Sequence, residues 1–384
     1  MRIWLFLIPI LVVTVVIYIG CGTNAEPTAP DLVTPRYIGA EVCTTCHIEK
    51  GEEWAQTGHH NALTDLLASD HRSDSCTPCH VVSLDNNPAN GGYDDPNPLA
   101  AAKFGGVQCE NCHGPGGNHI HDYIPLASPL SSEICGTCHA SAHHPTYTEW
   151  QDSIHATANL EWQNSTHFTA ECQQCHSADY IFAASVPADA KAEDFKLGIT
   201  CVVCHDPHSV KNEFQLRAPV RDLCGRCHTD EQPVPGESVH HSTVEMYTGV
   251  GGYEFPGEVY TNSYHTQIEE SCAACHMYTA PFDATSNTAI SGHTFEPRIE
   301  ACRECHEGLQ TFDRNGKQTI IQGLLDELKA KLDAATAEDE NGLSYVRAKF
   351  NYDFVSADGS TGVHNFKYAR KLLQDSINDF TPGV

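Results

Sequence analysis

Nine times along this chain two cysteines stand three positions apart with a histidine directly after the second. The pattern occupies Cys43/Cys46/His47, Cys76/Cys79/His80, Cys109/Cys112/His113, Cys135/Cys138/His139 and Cys172/Cys175/His176. It returns at Cys201/Cys204/His205, Cys224/Cys227/His228, Cys272/Cys275/His276 and Cys302/Cys305/His306. This spacing suits one reaction: two thiols add to the two vinyl groups on one edge of a porphyrin, and the following imidazole lies under the iron as its proximal ligand. Zinc knuckles also use paired C-x-x-C, and an exported chain permits disulfides, but neither explains a histidine after every pair. Nine c-type haems are therefore the expected cofactors. They use all of the 19 cysteines except Cys21.

Fifteen of the 24 histidines remain to supply sixth ligands. Four follow one frame of an aromatic, two residues, Ser or Thr, one residue and His: Trp54 to His59, Trp150 to His155, Trp162 to His167, and Tyr260 to His265. In a helix the aromatic and the imidazole lie a little over one turn apart, so the ring can pack on a macrocycle beside its ligand. His119 and His208 follow attachment motifs too closely to serve their own haem, which suits them to a neighbouring one. His240, His293 and His364 complete nine distal candidates. His60, His71, His121, His143, His144 and His241 are left over, and the choices between His59 and His60 and between His240 and His241 stay open. His144, before Pro145, is the reserve ligand.

The elements that must position these groups are short. Attachment motifs recur too closely for each haem to own a conventional core, so the haems themselves form the core, wrapped by loops and single-turn helices. The expected fold is mainly α with little regular sheet, a haem-cored multihaem arrangement. Asn86 to Pro98 and Pro233 to Gly257 read as surface loops. After Asn315 the cysteines stop. Ile320, Ile321, Leu324, Leu325, Leu328 and Leu332 follow helical spacing, as do Phe366, Ala369, Leu372, Leu373 and Ile377, predicting a helical C-terminal cap with His364 at the start of its last helix.

At the other end, an apolar run from Ile3 to Ile19 precedes Gly20-Cys21, a signal-peptide pattern. Ile19-Gly20-Cys21 resembles a bacterial lipoprotein signal, with Cys21 as the lipidation site, although Tyr18 departs from the usual Leu. The alternative is an uncleaved signal anchor. The segments read as a lipoprotein-type signal peptide over 1–20, a tether over 21–36, haem regions over 37–145 and 146–316, and the cap over 317–384. The chain is expected outside the cytoplasm, anchored in a membrane on the periplasmic side or at the cell surface. Lys+Arg 22 against Asp+Glu 50 gives a net charge of −28, which excludes nucleic acid as a partner and favours basic or membrane-bound redox proteins. A homo-oligomer is compatible with the helical cap.

Tyr37-Ile38-Gly39 through Cys43-Thr44-Thr45-Cys46-His47, followed by Trp54-Ala55-Gln56-Thr57-Gly58-His59 and Asn61-Ala62-Leu63, resembles the opening of the cytochrome c554 family. Cys109 through Gly116 resembles that family's second hallmark. His205-Asp206-Pro207-His208 and Gly292-His293-Thr294-Phe295 resemble the wider superfamily of octahaem cytochromes, hydroxylamine oxidoreductase and cytochrome c nitrite reductase. The resemblance implies short helices and haems stacked in alternating near-parallel and perpendicular pairs. No C-x-x-C-K motif, the usual attachment of the catalytic haem in pentahaem nitrite reductases, occurs here.

The leading expectation is an exported electron-transfer conduit of a respiratory chain, because nine irons with two histidines each leave no open position for a substrate. The alternative is a multihaem oxidoreductase of nitrogen or sulfur compounds, of nitrite, hydroxylamine or tetrathionate type, with one open haem. A cytochrome filament would need ligands donated between subunits, which a complete internal set of nine argues against.

Overall fold

A computed structural model describes residues 36–383 apart from 71, 84–91, 95–97, 161–164, 166, 232 and 270. Cys21, the signal-like segment, His71 and Trp162 lie outside the described residues.

From the first motif to Asn315 the described chain is mostly one- and two-turn helices, the longest being Gly58–Ala68 of 11 residues, which carries His59 and His60. Several of them are the attachment motifs themselves: Cys109–His113, Gln173–His176, Cys201–Cys204, Ala273–His276 and Ile299–Arg303. Few apolar side chains are buried along this stretch, and the thiols are largely half-buried. Polar groups pin it instead. The Glu110 carboxylate, 3% exposed, accepts the backbone N–H groups of Ile38 (3.0 Å), Gly39 (2.8 Å) and Gly116 (2.7 Å), tying the first motif to the third. So complete a set of donors offsets the cost of burying the charge.

Sheet is confined, among the described residues, to one antiparallel hairpin, Ala280–Asp283 with Thr288–Ile290, in register Ala280 to Ile290 and Asp283 to Thr288 with an irregularity between. The mainly α architecture with little sheet is as the sequence implies.

The apolar core lies in the C-terminal region. Helices Lys317–Asp333 and Phe366–Asp379 coincide with the two periodic stretches, and they bury Ile321, Leu325, Leu328, Leu332, Leu372, Leu373 and Ile377. Between them runs Leu343–Ala357, with Phe350, Phe354 and Val355 buried. The apolar periodicity does not mark this third helix. Its apolar and aromatic residues run nearly all round the cylinder because it packs against both neighbours and against Met246. Lys331 Nζ donates to the carbonyls of Ile377 and Phe380, satisfying the end of the last helix.

Candidate functional site

The histidines expected as proximal and distal ligands face one another across a nearly constant gap. Ring centroids lie 6.3 Å apart for His47 and His119, 6.1 Å for His113 and His208, 6.2 Å for His139 and His59, and 6.2 Å for His205 and His293. They are 6.1 Å apart for His228 and His155, 6.1 Å for His276 and His364, and 6.0 Å for His306 and His265. Two imidazoles on opposite faces of one metal, each with a bond of about 2 Å and a ring half-width of roughly 1.2 Å, have centroids about 6.4 Å apart.

Several outer nitrogens are already committed. Backbone carbonyls accept from Nδ1 of His80 (Ala62, 2.8 Å), His113 (Ala127, 2.6 Å), His205 (Phe214, 2.8 Å), His276 (Phe295, 2.8 Å) and His265 (Val363, 2.7 Å). A carbonyl cannot donate, so each of these Nδ1 atoms carries the proton and Nε2 keeps its lone pair. That is the tautomer a metal needs, with the outer hydrogen bond fixing ring orientation. Burial also keeps rings neutral. It pushes His139 and His228 down to about 4, with neighbouring histidines adding to the effect. The residues present therefore fit c-type haem: paired thiols, a neutral imidazole on one face and a second imidazole opposite.

The remaining motifs are less regular. His176 faces both members of the doublet, His240 at 6.5 Å and His241 at 6.4 Å, and ligand atoms of all three lie within 4.8 Å of one another. The Asp230 carboxylate accepts the backbone N–H of both His240 and His241. Among the described residues no imidazole ring faces His80 across a comparable gap. His80 is, however, one of the charges that disfavour protonation of His144, and His144 also lies 6.2 Å from His139. His167 is exposed, and no proximal ring lies opposite it among the described residues. His143 stacks on Phe282 of the hairpin at 4.0 Å, and His60 packs edge-on against Trp54 at 4.6 Å.

One construction occurs twice. Trp54 Nε1 donates to the Val107 carbonyl (3.0 Å), the Val107 N–H donates to the His59 carbonyl (2.8 Å), and His80 Nδ1 donates to the Ala62 carbonyl. Trp150 Nε1 donates to the Ile199 carbonyl (2.8 Å), the Ile199 N–H to the His155 carbonyl (2.8 Å), and His176 Nδ1 to the Ala158 carbonyl (3.1 Å). Gly106 and Gly198 occupy equivalent places, where a Cβ would run into the carbonyls of His60 and Ala156. Ala156 is thus the counterpart of His60, which separates His59 from its neighbour on structural grounds.

The thiols give the order of the motifs in space. Cys43 contacts Cys109, Cys79 contacts Cys138, Cys135 contacts Cys201, Cys175 contacts Cys227, and Cys224 contacts Cys272. Cys112 lies near Cys135, Cys204 near Cys224, and Cys302 near Cys275. Motifs one, three, four, six, seven, eight and nine form one unbroken row. The second branches from the fourth and the fifth from the seventh.

Two attachment cysteines are more open than the rest. Cys46 and Cys305 are exposed, whereas the other cysteines of the nine motifs are half-buried. They belong to the first and ninth motifs, the two ends of the row, where Cys43 and Cys302 lie toward the neighbouring motif. Exposure does not bar Cys46 or Cys305 from thioether attachment, because a thiol at a haem edge needs the vinyl group within reach and no apolar surroundings.

Comparison with known proteins agrees with this geometry. Residues 42–114 match the family Cytochrome c554 and c-prime, and residues 193–233 match the Doubled CXXCH motif. Cytochrome c-554 of Nitrosomonas europaea is 30% identical over 134 residues, 28% of this chain and 53% of that protein. Multiheme cytochrome MtrA of Shewanella baltica is 26% identical over 184 residues, 42% of this chain and 54% of that one. The chain thus spans about half the length of these two relatives. The outer cell wall cytochrome OcwA superposes with a TM-score of 0.71 at 25% identity, over 89% of this chain and 99% of OcwA. The undecahaem cytochrome from the S-layer of Carboxydothermus ferrireducens gives a TM-score of 0.67 at 24% identity, over 90% of this chain and 69% of its own, a likeness of fold.

This chain is a multihaem c-type cytochrome related to cytochrome c554. Within the cytochrome, carboxylates absent from the ligand pattern hold two of the histidines expected as distal ligands. Glu149 accepts from the Ser291 hydroxyl (2.7 Å) and the His293 N–H (2.8 Å), and His293 Nδ1 donates to the Ser291 carbonyl (2.9 Å). Asp358 takes the Nδ1 of His364 at 2.6 Å. Burial acts to lower the His364 pKa, but this hydrogen bond and the Asp358 charge outweigh it and leave the pKa raised. No spacing rule finds Glu149, which is far from His293 in sequence. Asp358 lies close enough to His364 for a search of acidic neighbours to have found it. No helix among the described residues of the cytochrome is long and apolar enough to cross a membrane.

Proposed function

We propose that this chain is an exported nine-haem cytochrome that conducts electrons along its length within a respiratory chain, anchored through Cys21. Haem, when bound, supplies reversible one-electron chemistry. The protein spaces, orients and insulates the nine sites. The observation that carries the reading is the unbroken row of motifs, each with a cysteine close to one of the next. Electron tunnelling falls steeply with distance, so a row without a gap is what conduction requires. The histidine pairs support it, because iron held from both faces has no position for a substrate. Export is supported by the apolar run before Gly20-Cys21 and by the c-type attachment itself. OcwA is an outer cell wall cytochrome, and the undecahaem cytochrome comes from an S-layer. The net charge of −28 suits a basic redox partner.

A second reading rests on His80, for which no described imidazole lies opposite at the common spacing. That haem would keep an open face, and the protein would be an oxidoreductase of small nitrogen or sulfur compounds. Ferric-state EPR with turnover assays separates the two. The conduit predicts low-spin signals only, and no appreciable turnover of nitrite, hydroxylamine or tetrathionate. A high-spin ferric signal together with turnover would replace it with the enzyme.

A further inference from the structure

Backbone carbonyls hold several of the histidines described above by Nδ1, and a carbonyl is a neutral acceptor. His364 is held differently. Its Nδ1 lies 2.6 Å from Asp358 Oδ1, and the Asp358 side chain is 1% exposed. The other carboxylate oxygen is bonded by the Ser360 hydroxyl and N–H, and the Ser360 hydroxyl also receives the His364 N–H at 3.2 Å. Residues 358–364 thus close on themselves around one buried carboxylate. His208 has a superficially similar partner in Asp206, but that pair is 36% and 22% exposed, the contact is 3.2 Å, and Arg217 stands 3.7 Å from the second Asp206 oxygen. Among the described residues no lysine or arginine pairs with Asp358.

We propose that Asp358 is a positioning residue that sets the redox potential of the haem attached at Cys272 and Cys275, drawing on the Nδ1 proton of His364 and so lowering that potential. The inference rests on the reading that His276 and His364, 6.1 Å apart, are the axial pair of this haem. An anionic acceptor pulls the Nδ1–H bond, pushes electron density onto Nε2, and makes the imidazole a stronger donor. A stronger donor favours ferric over ferrous iron, and burial removes the water that would screen the effect. The eighth motif lies between the seventh and ninth in the row, so Asp358 places a low-potential site next to the C-terminal end of the conduction path.

The test uses the full holoprotein. Asp358→Asn keeps an oxygen acceptor and removes the charge. A redox titration followed by optical and EPR spectra should show one haem shifted to higher potential, the others unmoved and all still low-spin. Asp206→Asn should give a smaller shift, because that carboxylate is solvated and shared with Arg217. In the unaltered protein, one low-spin ferric signal should show a narrower spread of g values than the rest, the mark of imidazolate character, which is readable even if Asp358→Asn does not fold. His364→Ala checks the underlying assignment by converting one haem to high spin. If His364→Ala does so while Asp358→Asn moves no potential, or moves it downward, the proposal is overturned and the ligand reading stands. If His364→Ala leaves every haem unchanged, the ligand reading falls and the proposal with it.

Discussion

The Trp54 indole donates to the Val107 carbonyl across 3.0 Å, and the Val107 N–H returns to the carbonyl of His59, so one tryptophan fixes both an expected distal ligand and the approach to the third attachment motif. Trp150 does the same for Ile199 and His155. Each indole satisfies a carbonyl that a phenylalanine would leave unpaired. Trp54→Phe and Trp150→Phe should therefore each destabilise the protein by about 1–3 kcal/mol. Guanidinium denaturation followed by circular dichroism measures this, and the two variants should behave alike.

Stoichiometry follows from nine complete motifs. Fully matured protein should carry nine covalent haems, read by pyridine haemochrome against protein concentration and by intact mass. Eight or fewer would mean that a motif is not used.

The Glu149 carboxylate organises the loop that carries His293 through three groups, the Ser291 N–H, the Ser291 hydroxyl and the His293 N–H. Glu149→Ala should free His293 and leave one haem partly high-spin in ferric EPR, with eight unaffected. Glu149→Gln retains one acceptor oxygen and should give a smaller high-spin fraction.

If Cys21 carries the membrane anchor, Cys21→Ser should yield red protein in the soluble fraction. Retention of that variant in membranes would point to the apolar segment itself as the anchor.

What the sequence makes legible is what is local. Thiol addition and proximal ligation demand neighbours within five residues, so all nine motifs stand out. Helices Lys317–Asp333 and Phe366–Asp379 present one apolar stripe each, whereas Leu343–Ala357 is packed on two sides and loses its periodicity. Pairings are not local. His276 meets His364, and His205 meets His293, across segments whose path no spacing predicts. Exposure is not local either, since Cys46 and Cys305 are exposed while the other motif cysteines, at the same spacing, are half-buried. Doublets stay ambiguous because adjacent side chains diverge only once the backbone is set. His60 turns to the Trp54 edge while His59 faces His139. Asp358-Gly359 reads as a turn, and its role beside His364 appears only when the loop closes.

Acid stability gives the last test. Asp313 caps the helix Lys317–Asp333, its Oδ1 accepting the Gln318 N–H at 2.7 Å and its Oδ2 the Thr319 hydroxyl at 2.6 Å. The bond from the Thr319 side chain, helped by the backbone N–H groups, holds the carboxyl below the usual aspartate value. Between the lowered folded value and the ordinary value of about 3.9, the unfolded chain binds more protons than the folded one. Stability therefore rises with pH through that window. The contribution is complete above it and disappears as pH falls through the folded value. Asp313→Asn keeps one acceptor but cannot ionise. Its Tm should lie below the parent's at pH 7, and the two should converge as the pH falls below the folded value, where the parent carboxyl is protonated as well. Thermal unfolding followed by far-ultraviolet circular dichroism at a series of pH values reads the difference directly. A gap that does not narrow as the pH falls below the ordinary aspartate range would show that Asp313 acts through packing of the Asp313–Thr319 turn rather than through its charge.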